Sequence, residues 1–268
     1  MRSVALIVGL LICSSCGARG PRYSEAEFPS RKVTFGGIEY GYRIYIPPDR
    51  KDGEKLPVML YLHGSNRRGT DNQSQLADLY ENIKGFPQNW QFIVVIPQCR
   101  EDLFWAGPMV EQAIAALDQT VKEFGGDENR LYIVGYSMGG FGTWQTAITY
   151  PDKFAAIIPV AGGVEPIGEP SERDKALLSR QVAAAASATN VYAAYADILK
   201  DKPIWIVHGE KDESIPVDQA RKMNAALRLA GSTKVVYNEL PDVGHGSVVP
   251  AFSDPKLFEW LRNQALNK

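Results

Sequence analysis

The feature that most constrains the fold of this chain is a series of short, almost uninterrupted apolar runs that alternate with stretches of helical character. The apolar runs cover residues 57–62, 92–96, 131–134, 155–160, 204–207 and 235–237. The helical stretches cover residues 109–124, 139–150, 217–230 and 255–267. Strands that are apolar on both faces must be covered on both sides, and their alternation with helices is typical of parallel sheets. The pattern therefore predicts an α/β fold built on a doubly wound, mostly parallel sheet.

Two further segments, residues 32–36 and 40–46, precede this series and differ from it. Polar and apolar residues alternate in both, and Gly36-Gly37 separates them, so we expect them to pair as antiparallel strands. The rest of the sequence shows no internal repeat and no second-domain boundary, and 268 residues suffice for one large domain. The sequence predicts a single domain over residues 32–268.

Composition and charge exclude several classes of protein. Hydrophobic residues make up 45% and charged residues 22% of the chain, which excludes an intrinsically disordered or collagen-like protein. The 29 basic and 31 acidic residues nearly cancel, so no basic stripe and no nucleic-acid partner are expected. The 3 histidines are scattered and form no ligand cluster with cysteine, so neither a metal nor a cofactor is expected.

The N-terminus has the pattern of a secretory signal peptide over residues 1–18. Arg2 precedes an apolar run over residues 4–12, which is too short to span a bilayer, and small residues follow. Cys16 follows Ser14-Ser15 in a context that resembles a bacterial lipoprotein processing site. We therefore expect an exported protein that is periplasmic, extracellular or lipid-anchored to the cell envelope, with Cys16 as its one possible membrane attachment. The alternative is a buried first strand or helix.

The segment after this leader, residues 19–31, is polar and irregular, which predicts a linker. Once the leader is removed, Cys99 is the remaining cysteine, so no internal disulfide can form. Cys99 follows the apolar run 92–96 without the glycine pattern of a nucleophile turn. We expect it to be a structural residue.

One long segment, residues 164–202, departs from the alternation of strands and helices. It lies between two predicted strands and is much longer than a usual connection. Its alanine-rich part, residues 182–199, predicts one or two helices. We interpret the segment as a helical insertion over the C-terminal edge of the sheet, where it would act as a substrate-facing lid. The alternative is an ordinary helix that covers the sheet.

The central motif is Gly135-Tyr136-Ser137-Met138-Gly139, between a predicted strand and a predicted helix. This is the G-x-S-x-G pattern of a nucleophile elbow, a sharp turn that exposes a serine hydroxyl. A glycine costs up to about 1 kcal/mol in a helix interior, so Gly140 and Gly142 indicate close packing behind the serine. The runner-up, a dinucleotide-binding loop, requires G-x-G-x-x-G after an early strand, and this motif breaks that pattern. Ser137 is the predicted nucleophile.

A serine hydroxyl needs an adjacent base, and the chain has 3 histidines. His63 and His208 each directly follow a predicted strand and precede a glycine, whereas His245 lies in a glycine-flanked loop after the last predicted strand. In folds with this elbow the chain order is nucleophile, acid, histidine. Only His245 follows Ser137 with a suitable acid between them, so His245 is the predicted base.

The acid that orients this histidine should follow the strand 204–207. The carboxylates in that region are Glu210, Asp212, Glu213 and Asp218. Pro216 is expected to open the next helix, which places Asp218 in its first turn, where a carboxylate is favoured for dipole reasons alone. Asp212 lies in the loop before the helix, where it can hold the histidine in one tautomer. Asp212 is the predicted acid, and Glu210 is the next choice.

Acyl transfer also requires hydrogen-bond donors for the negative oxygen of its intermediate. In elbow folds one N–H belongs to the residue after the nucleophile, and a second belongs to the loop after an earlier strand. These positions predict an oxyanion hole formed by Met138 and Ser65, with Asn66 as the alternative to Ser65. His63 begins that loop and is expected to support it rather than to react.

These motifs together resemble those of the α/β-hydrolase superfamily. They are most similar to secreted phospholipase/carboxylesterase-like and polyhydroxybutyrate-depolymerase-like serine esterases, which include feruloyl and acetyl-xylan esterases. The motifs that carry the resemblance are LYLHG (60–64), RGTDN (68–72), IPQC (96–99), GYSMGG (135–140), TW (143–144), HGEKD (208–212), IP (215–216) and DVGH (242–245). The resemblance implies the fold and a Ser137–Asp212–His245 triad. Such relatives commonly have a small residue and Gly-Glu after the His-Gly, where this chain has Ser65-Asn66-Arg67.

The expected function is hydrolysis of carboxylic esters through an acyl-enzyme on Ser137. Small-acyl or aromatic esters (acetyl, feruloyl), including polysaccharide esters, are the expected substrates. Two alternatives are a single-domain serine peptidase that resembles the prolyl oligopeptidase catalytic domain and a non-catalytic binding module on the same fold. Trp105 follows the C-terminal end of a strand, and Tyr192 and Tyr195 share a helix face. All three are expected to bind substrate, although the tyrosines could instead fasten the insertion to the domain.

Overall fold

The computed structural model of the protein describes residues 23–266. Within them, one sheet contains eight strands: β1 (Ser30–Phe35), β2 (Ile38–Tyr45), β3 (Val58–Leu62), β4 (Ile93–Pro97), β5 (Leu131–Tyr136), β6 (Ala156–Val160), β7 (Ile204–Gly209) and β8 (Val235–Leu240). Their order across the sheet is β1-β2-β4-β3-β5-β6-β7-β8. Strand β2 is antiparallel to both of its neighbours, and all the other pairs are parallel. The predicted α/β fold, with antiparallel N-terminal strands beside a parallel sheet, is confirmed.

Helices connect the parallel strands. In the described part of the chain they are α1 (Tyr80–Gly85), α2 (Pro108–Phe124), α3 (Met138–Thr149), α4 (Glu172–Ala176), α5 (Arg180–Ala186), α6 (Val191–Leu199), α7 (Asp218–Leu229), α8 (Val248–Ser253) and α9 (Pro255–Arg262). Short 3-10 turns lie at Ser65–Arg67, Ser74–Leu76 and Pro87–Asn89. None of the helices between residues 23 and 266 combines the length and the apolarity needed to cross a membrane.

Neighbouring residues of the central strands enter two separate cores. Leu60 of β3 packs on the face covered by α2, α3, α6 and α7, whereas Tyr61 packs on the face covered by α8 and α9. Strands β3, β4 and β6 are buried along their whole length. Because successive side chains of a strand point to opposite faces, a sheet covered on both sides needs continuous apolar runs. The same topology brings the C-terminal ends of β3, β5 and β7 to one edge, where their loops meet.

The N-terminal arm departs from the sequence prediction. The prediction of a linker over residues 19–31 is wrong for residues 23–31, because Phe28 is 1% exposed and β1 begins at Ser30. The buried Arg43 guanidinium donates to the Phe28 carbonyl (2.9 Å) and forms an ion pair with Glu25. These contacts make residues 23–31 part of the domain. The predicted leader, residues 1–18 with Cys16, lies outside the described residues.

The long connection 164–202 contains α4, α5 and α6. Helix α4 is largely exposed, whereas α5 packs against α3, and α6 packs against α3, α5 and α7. Ala196 and Leu199 of α6 have no exposed surface. The hydroxyl groups of Thr149, at the end of α3, and Ser179, before α5, lie 2.8 Å apart. Helices α5 and α6 therefore pack against α3 and α7, the helices that cover one face of the sheet, which agrees with the alternative of an ordinary covering helix. The role of the segment as a lid stays a prediction.

Candidate active site

The corner between β5 and α3 holds Ser137 in a backbone conformation that side chains rarely adopt. Its φ is 56° and its ψ is −118°, and α3 begins at the next residue. The Ser137 N–H donates to the Val160 carbonyl of β6 (2.9 Å), and the Ser137 carbonyl accepts from the Gly140 N–H (2.8 Å). Such a conformation costs about 1–3 kcal/mol and persists only where the surroundings impose it. The corner presents the serine hydroxyl at the C-terminal edge of the sheet.

Two glycines allow α3 to lie directly against the strands behind this corner. A methyl group at Gly139 would lie 1.8 Å from the Leu62 carbonyl oxygen, and one at Gly135 would lie 2.1 Å from the Gly139 carbonyl oxygen. Both obstacles are backbone atoms, so relief would require a strand or the helix to move. Close packing is therefore the reason for glycines that helix propensity does not explain.

We expect Gly139→Ala to destabilise the protein by at least about 3 kcal/mol, because the new methyl group would overlap the Leu62 carbonyl. Urea unfolding followed by circular dichroism measures the change. Gly85→Ala is the matched control, since a methyl group there would meet no atom within 4 Å. Its expected effect is below about 1 kcal/mol. Equal stability of the two variants would contradict the overlap at Gly139.

His245 reaches the serine from the loop that follows β8. Its Nε2 lies 2.8 Å from Ser137 Oγ, and its Nδ1 lies 2.8 Å from Asp212 Oδ2. Tyr136, which sequence reasoning left without a role, donates its hydroxyl to the His245 carbonyl (2.9 Å) and packs its ring against the imidazole at 5.3 Å. With Nδ1–H donated to the carboxylate, Nε2 accepts from the serine. The structure thus joins the three predicted side chains in one line of hydrogen bonds.

The Asp212 carboxylate is held by several donors. Its Oδ1 accepts the N–H groups of Ser214 and Ile215, each at 2.9 Å, while Oδ2 faces His245. Burial by itself raises the pKa of the Asp212 carboxyl, but the hydrogen bonds from His208, His245 and the Ile215 N–H outweigh burial and hold the pKa well below its ordinary value. The carboxylate therefore stays ionised at neutral pH.

The other candidate acids lie elsewhere in the structure. Glu210 and Glu213 are exposed, and Asp218 forms an ion pair with Arg221 on α7. Among the four candidates, Asp212 alone contacts the imidazole.

A second histidine contacts the Asp212 carboxylate, a role that sequence reasoning missed. His208 lies in β7 with no exposed surface, and its Nε2 is 3.2 Å from Asp212 Oδ2 and 2.9 Å from the Ile215 carbonyl oxygen. Because a carbonyl oxygen only accepts, Nε2 carries the proton and shares it with the carboxylate. The available signal was the spacing of His208 and Asp212, four residues apart at a strand end.

The loop after β3 lies against the nucleophile. A methyl group at Gly64 would be 3.5 Å from Ser137 Cβ, which places the following residue, Ser65, beside the serine. Met138 is the first residue of α3, where N–H groups have no partner within the helix. Neither the Met138 N–H nor the Ser65 N–H donates to another described residue. Their use as an oxyanion hole stays a prediction. Asn66, the alternative to Ser65, is exposed in the same turn.

His63 supports this loop from beneath, as expected. Its Nδ1 lies 2.7 Å from the Gly64 carbonyl oxygen, and its Nε2 accepts from the Cys99 N–H (3.0 Å). Burial lowers the pKa of His63 to about 4, so the ring is neutral and carries its proton on Nδ1. Burial also raises the pKa of the Cys99 thiol to about 12, which is consistent with a structural cysteine.

Trp105 packs under the same loop, and the prediction that it binds substrate is wrong. Its exposed fraction is 1%, its indole N–H donates to the His63 carbonyl (2.9 Å), and its ring meets the His63 ring edge-on at 5.0 Å. A side chain with so little free surface has nothing to offer a substrate. Trp105 instead holds the backbone that leads to Ser65.

Tyr192 and Tyr195 fasten α6 to the domain, which was the alternative to a role in substrate binding. Their exposed fractions are 7% and 2%. The Tyr192 hydroxyl donates to the Glu165 carboxylate (2.7 Å), and the Lys222 ammonium of α7 lies 5.7 Å from the centre of its ring. The structure does not bring either tyrosine to Ser137.

A mostly parallel sheet covered on both faces, with a serine on the corner after β5, defines the α/β-hydrolase class. Its serine, histidine and carboxylate come from the three loops expected for that class. Residues 103–264 match the model of the prolyl oligopeptidase family, and the chain belongs to this family.

Individual relatives include proteins named as esterases and as peptidases. The chain is 29% identical over 238 residues to an uncharacterized secreted protein of Arthroderma benhamiae. The match covers 78% of this chain and 24% of the relative. It is 25% identical over 242 residues to Esterase LipQ of Mycobacterium tuberculosis. This match covers 78% of this chain and 55% of the relative. Other relatives are named as dipeptidyl peptidases. The chain thus spans between a quarter and about half of the length of these two curated relatives.

Solved structures support the same class. A thermostable esterase superposes with a TM-score of 0.70 at 27% identity, covering 90% of this chain and 64% of that chain. A ferulic acid esterase superposes with a TM-score of 0.61 at 18% identity, covering 87% of this chain and 98% of that chain, and this likeness shows the fold alone.

Proposed function

We propose that this protein is a serine hydrolase of carboxylic esters. The observation that carries the proposal is the line of hydrogen bonds from the Ser137 hydroxyl through His245 to Asp212, with 2.8 Å at each step. Such a line removes a proton from a hydroxyl as it attacks a carbonyl carbon, which is the chemistry of acyl transfer. Ester chemistry in particular is supported by the 27% identity to the thermostable esterase over 90% of this chain.

In the proposed reaction, Ser137 Oγ attacks the ester carbonyl carbon while His245 Nε2 takes the hydroxyl proton. The tetrahedral intermediate then collapses: the bond to the alcohol oxygen breaks, and His245 gives its proton to that oxygen. A water molecule attacks the acyl-enzyme with His245 again as the base, and Ser137 regains its proton as the acid leaves. Asp212 stays ionised and stabilises the imidazolium, in agreement with its lowered pKa.

The negative oxygen of the intermediate would lie between the Met138 and Ser65 N–H groups. Both donors are backbone groups, so they are held in place by the corner and by the turn that begins at Ser65. Donors that are already oriented stabilise charge without reorganisation, and one of them is worth about 10²- to 10³-fold in kcat.

The proposed substrates are small-acyl or aromatic esters, such as acetyl and feruloyl esters, including those carried by polysaccharides. The protein is proposed to act after export, which is supported by the leader pattern of residues 1–18 and by the relative named as a secreted protein. A serine peptidase is the second candidate, because the matching family is named for a peptidase. A non-catalytic binding module is disfavoured, since such a module has no need for all three hydrogen-bonded side chains.

A substrate panel tests the proposal. Purified protein is assayed on 4-nitrophenyl acetate, methyl ferulate, acetylated xylan and a prolyl amide, with Ser137→Ala as the blank. Turnover of at least one ester that is lost in the variant would support the proposal. A higher kcat/KM for the amide than for every ester would replace it with the peptidase alternative. No turnover, together with no labelling by a fluorophosphonate probe, would exclude both enzyme activities.

We expect His208→Phe to lower kcat/KM for 4-nitrophenyl acetate by about 10- to 100-fold. The variant removes one donor from the Asp212 carboxylate, and a hydrogen bond to a charged group is worth about 1.5–3 kcal/mol. His208→Gln is the matched control, because its amide N–H can donate from nearly the position of the ring Nε2, and it should retain most of the activity. Initial rates and melting temperatures measure both variants. Equal loss in the two would indicate packing rather than hydrogen bonding.

A further inference from the structure

Arg68 lies beside the candidate active site without a carboxylate partner among residues 23–266. It directly follows the turn Ser65–Arg67 in the loop after β3 and is partly buried. Its Nε lies 3.2 Å from the Sδ of Met138, the residue after the nucleophile. A thioether is a weak acceptor, and this is the one side-chain hydrogen bond that Arg68 makes within the described chain. Most of the N–H groups of this guanidinium are therefore available to a ligand.

The carboxylates of the same connection are engaged with other groups. Asp78 accepts from the Arg67 guanidinium at 2.9 Å. Asp71 accepts from the Gln98 amide at 2.8 Å and from the Ser74 hydroxyl. Arg68 therefore keeps its positive charge uncompensated at this edge of the sheet.

The order of the strands places Arg68 on one side of the nucleophile and the histidine on the other. Arg68 belongs to the loop after β3, whereas Asp212 and His245 follow β7 and β8, which lie beyond β5 in the opposite direction. The leaving oxygen of an ester must lie close to His245 Nε2 to receive its proton. The carbonyl oxygen ends at the Met138 and Ser65 N–H groups, so of the two chains of the ester the acyl chain is the one that can extend toward Arg68.

We propose that Arg68 binds a carboxylate at the far end of the acyl chain, so that the preferred substrates are monoesters of dicarboxylic acids. A guanidinium and a carboxylate form two parallel hydrogen bonds, which a neutral acyl chain cannot reproduce. Partial burial reduces the screening of this charge by salt. The inference rests on the proposed ester hydrolase function and adds to it the charge of the acyl group.

The test uses pairs of ethyl esters that differ in the charge of the acyl end. Monoethyl succinate is compared with ethyl succinamate, and the glutarate and adipate monoesters are compared with their amides. For at least one pair, kcat/KM of the wild type should be about 10- to 100-fold higher for the carboxylate. Arg68→Gln should bring this ratio close to one, and Arg68→Lys should retain part of it. The two kcat/KM values in each ratio come from the same variant. A change in rate caused by the lost contact with Met138 would affect both substrates equally and cancel in the ratio.

Arg262→Gln is the control for net charge. It removes one positive charge from the exposed end of α9 and should keep the wild-type ratio. Two results would overturn the role of Arg68: a wild-type ratio of kcat/KM values near one for every pair, or a ratio that Arg68→Gln leaves unchanged. In either case, hydrolysis of the ethyl esters that end in an amide would still support the esterase function. If the wild type hydrolyses no ester at all, the proposed function and the inference both fall.

Discussion

Ser137→Ala is expected to lower kcat for 4-nitrophenyl acetate by about 10⁵- to 10⁶-fold and to abolish labelling by a fluorophosphonate probe. The variant removes the oxygen that would form the acyl-enzyme, and His245 then has no hydroxyl to deprotonate. Alanine tolerates a φ of 56° no better than serine does, so the strain of the corner is retained and the fold should not change. Initial rates, the mass of the labelled protein and the melting temperature measure these three expectations.

The matched control for this variant is Ser171→Ala. Ser171 caps the exposed helix α4, and its hydroxyl accepts from the Asp174 N–H. This control should be labelled to the same extent as the wild type. Undiminished labelling of Ser137→Ala would show that another residue reacts with the probe and would contradict the assigned nucleophile.

Asp212→Asn is expected to lower kcat by about 10⁴-fold, because it forces the wrong tautomer on the base. The oxygen of the new side-chain amide would have to remain where Oδ1 now accepts the Ser214 and Ile215 N–H groups. The NH₂ group of that amide would then replace Oδ2 and point at Nδ1 of His245, which would have to become an acceptor. The imidazole proton would move to Nε2, where the Ser137 hydroxyl needs an acceptor. His208 adds a second conflict, since its Nε2–H also faces the new NH₂ group.

Glu210→Gln is the control for this variant, since Glu210 was the next candidate acid. Its exposed carboxylate accepts from the Asp242 N–H at 3.1 Å, a hydrogen bond that the glutamine oxygen can also accept. Initial rates on 4-nitrophenyl acetate should match the wild type. A loss in Glu210→Gln as large as that in Asp212→Asn would contradict the assignment of the acid, and melting temperatures show whether either variant is misfolded.

The secondary structure that could be predicted is the part with a strong local pattern. Strands β3 to β7 each overlap a continuous apolar run, whereas β8 continues past its run through Asn238 and Glu239. The long helices α2, α3 and α7 begin and end within a few residues of their predicted ends. The six-residue helices α1 and α8 were not predicted, because one and a half turns carry too little periodicity. Their stability comes from tertiary contacts, such as Phe252 of α8 against Trp90 at 5.2 Å.

The residues of the candidate site likewise divide into those that a local sequence pattern predicts and those whose role depends on tertiary contacts. Ser137, Asp212 and His245 could be predicted because each occupies a characteristic position relative to a strand end, and chain order distinguished among the candidates. Trp105 was also placed correctly after a strand end, but the direction of its side chain depends on Gly142, whose missing side chain leaves room for the indole. No pattern in the sequence indicates such a direction.

By itself, the sequence determined the layered sheet, the strained serine corner and the identity of the three side chains that meet there, because these depend on apolar periodicity and on short motifs. The tertiary structure alone decided that His208 holds the carboxylate, that Tyr136 holds the histidine loop, that Phe28 belongs to the core, and that α6 packs against α3 and α7. Apart from His208 and Asp212, which are four residues apart, these contacts join segments that lie far apart along the chain. All of them depend on side-chain directions and distances that the local sequence does not specify.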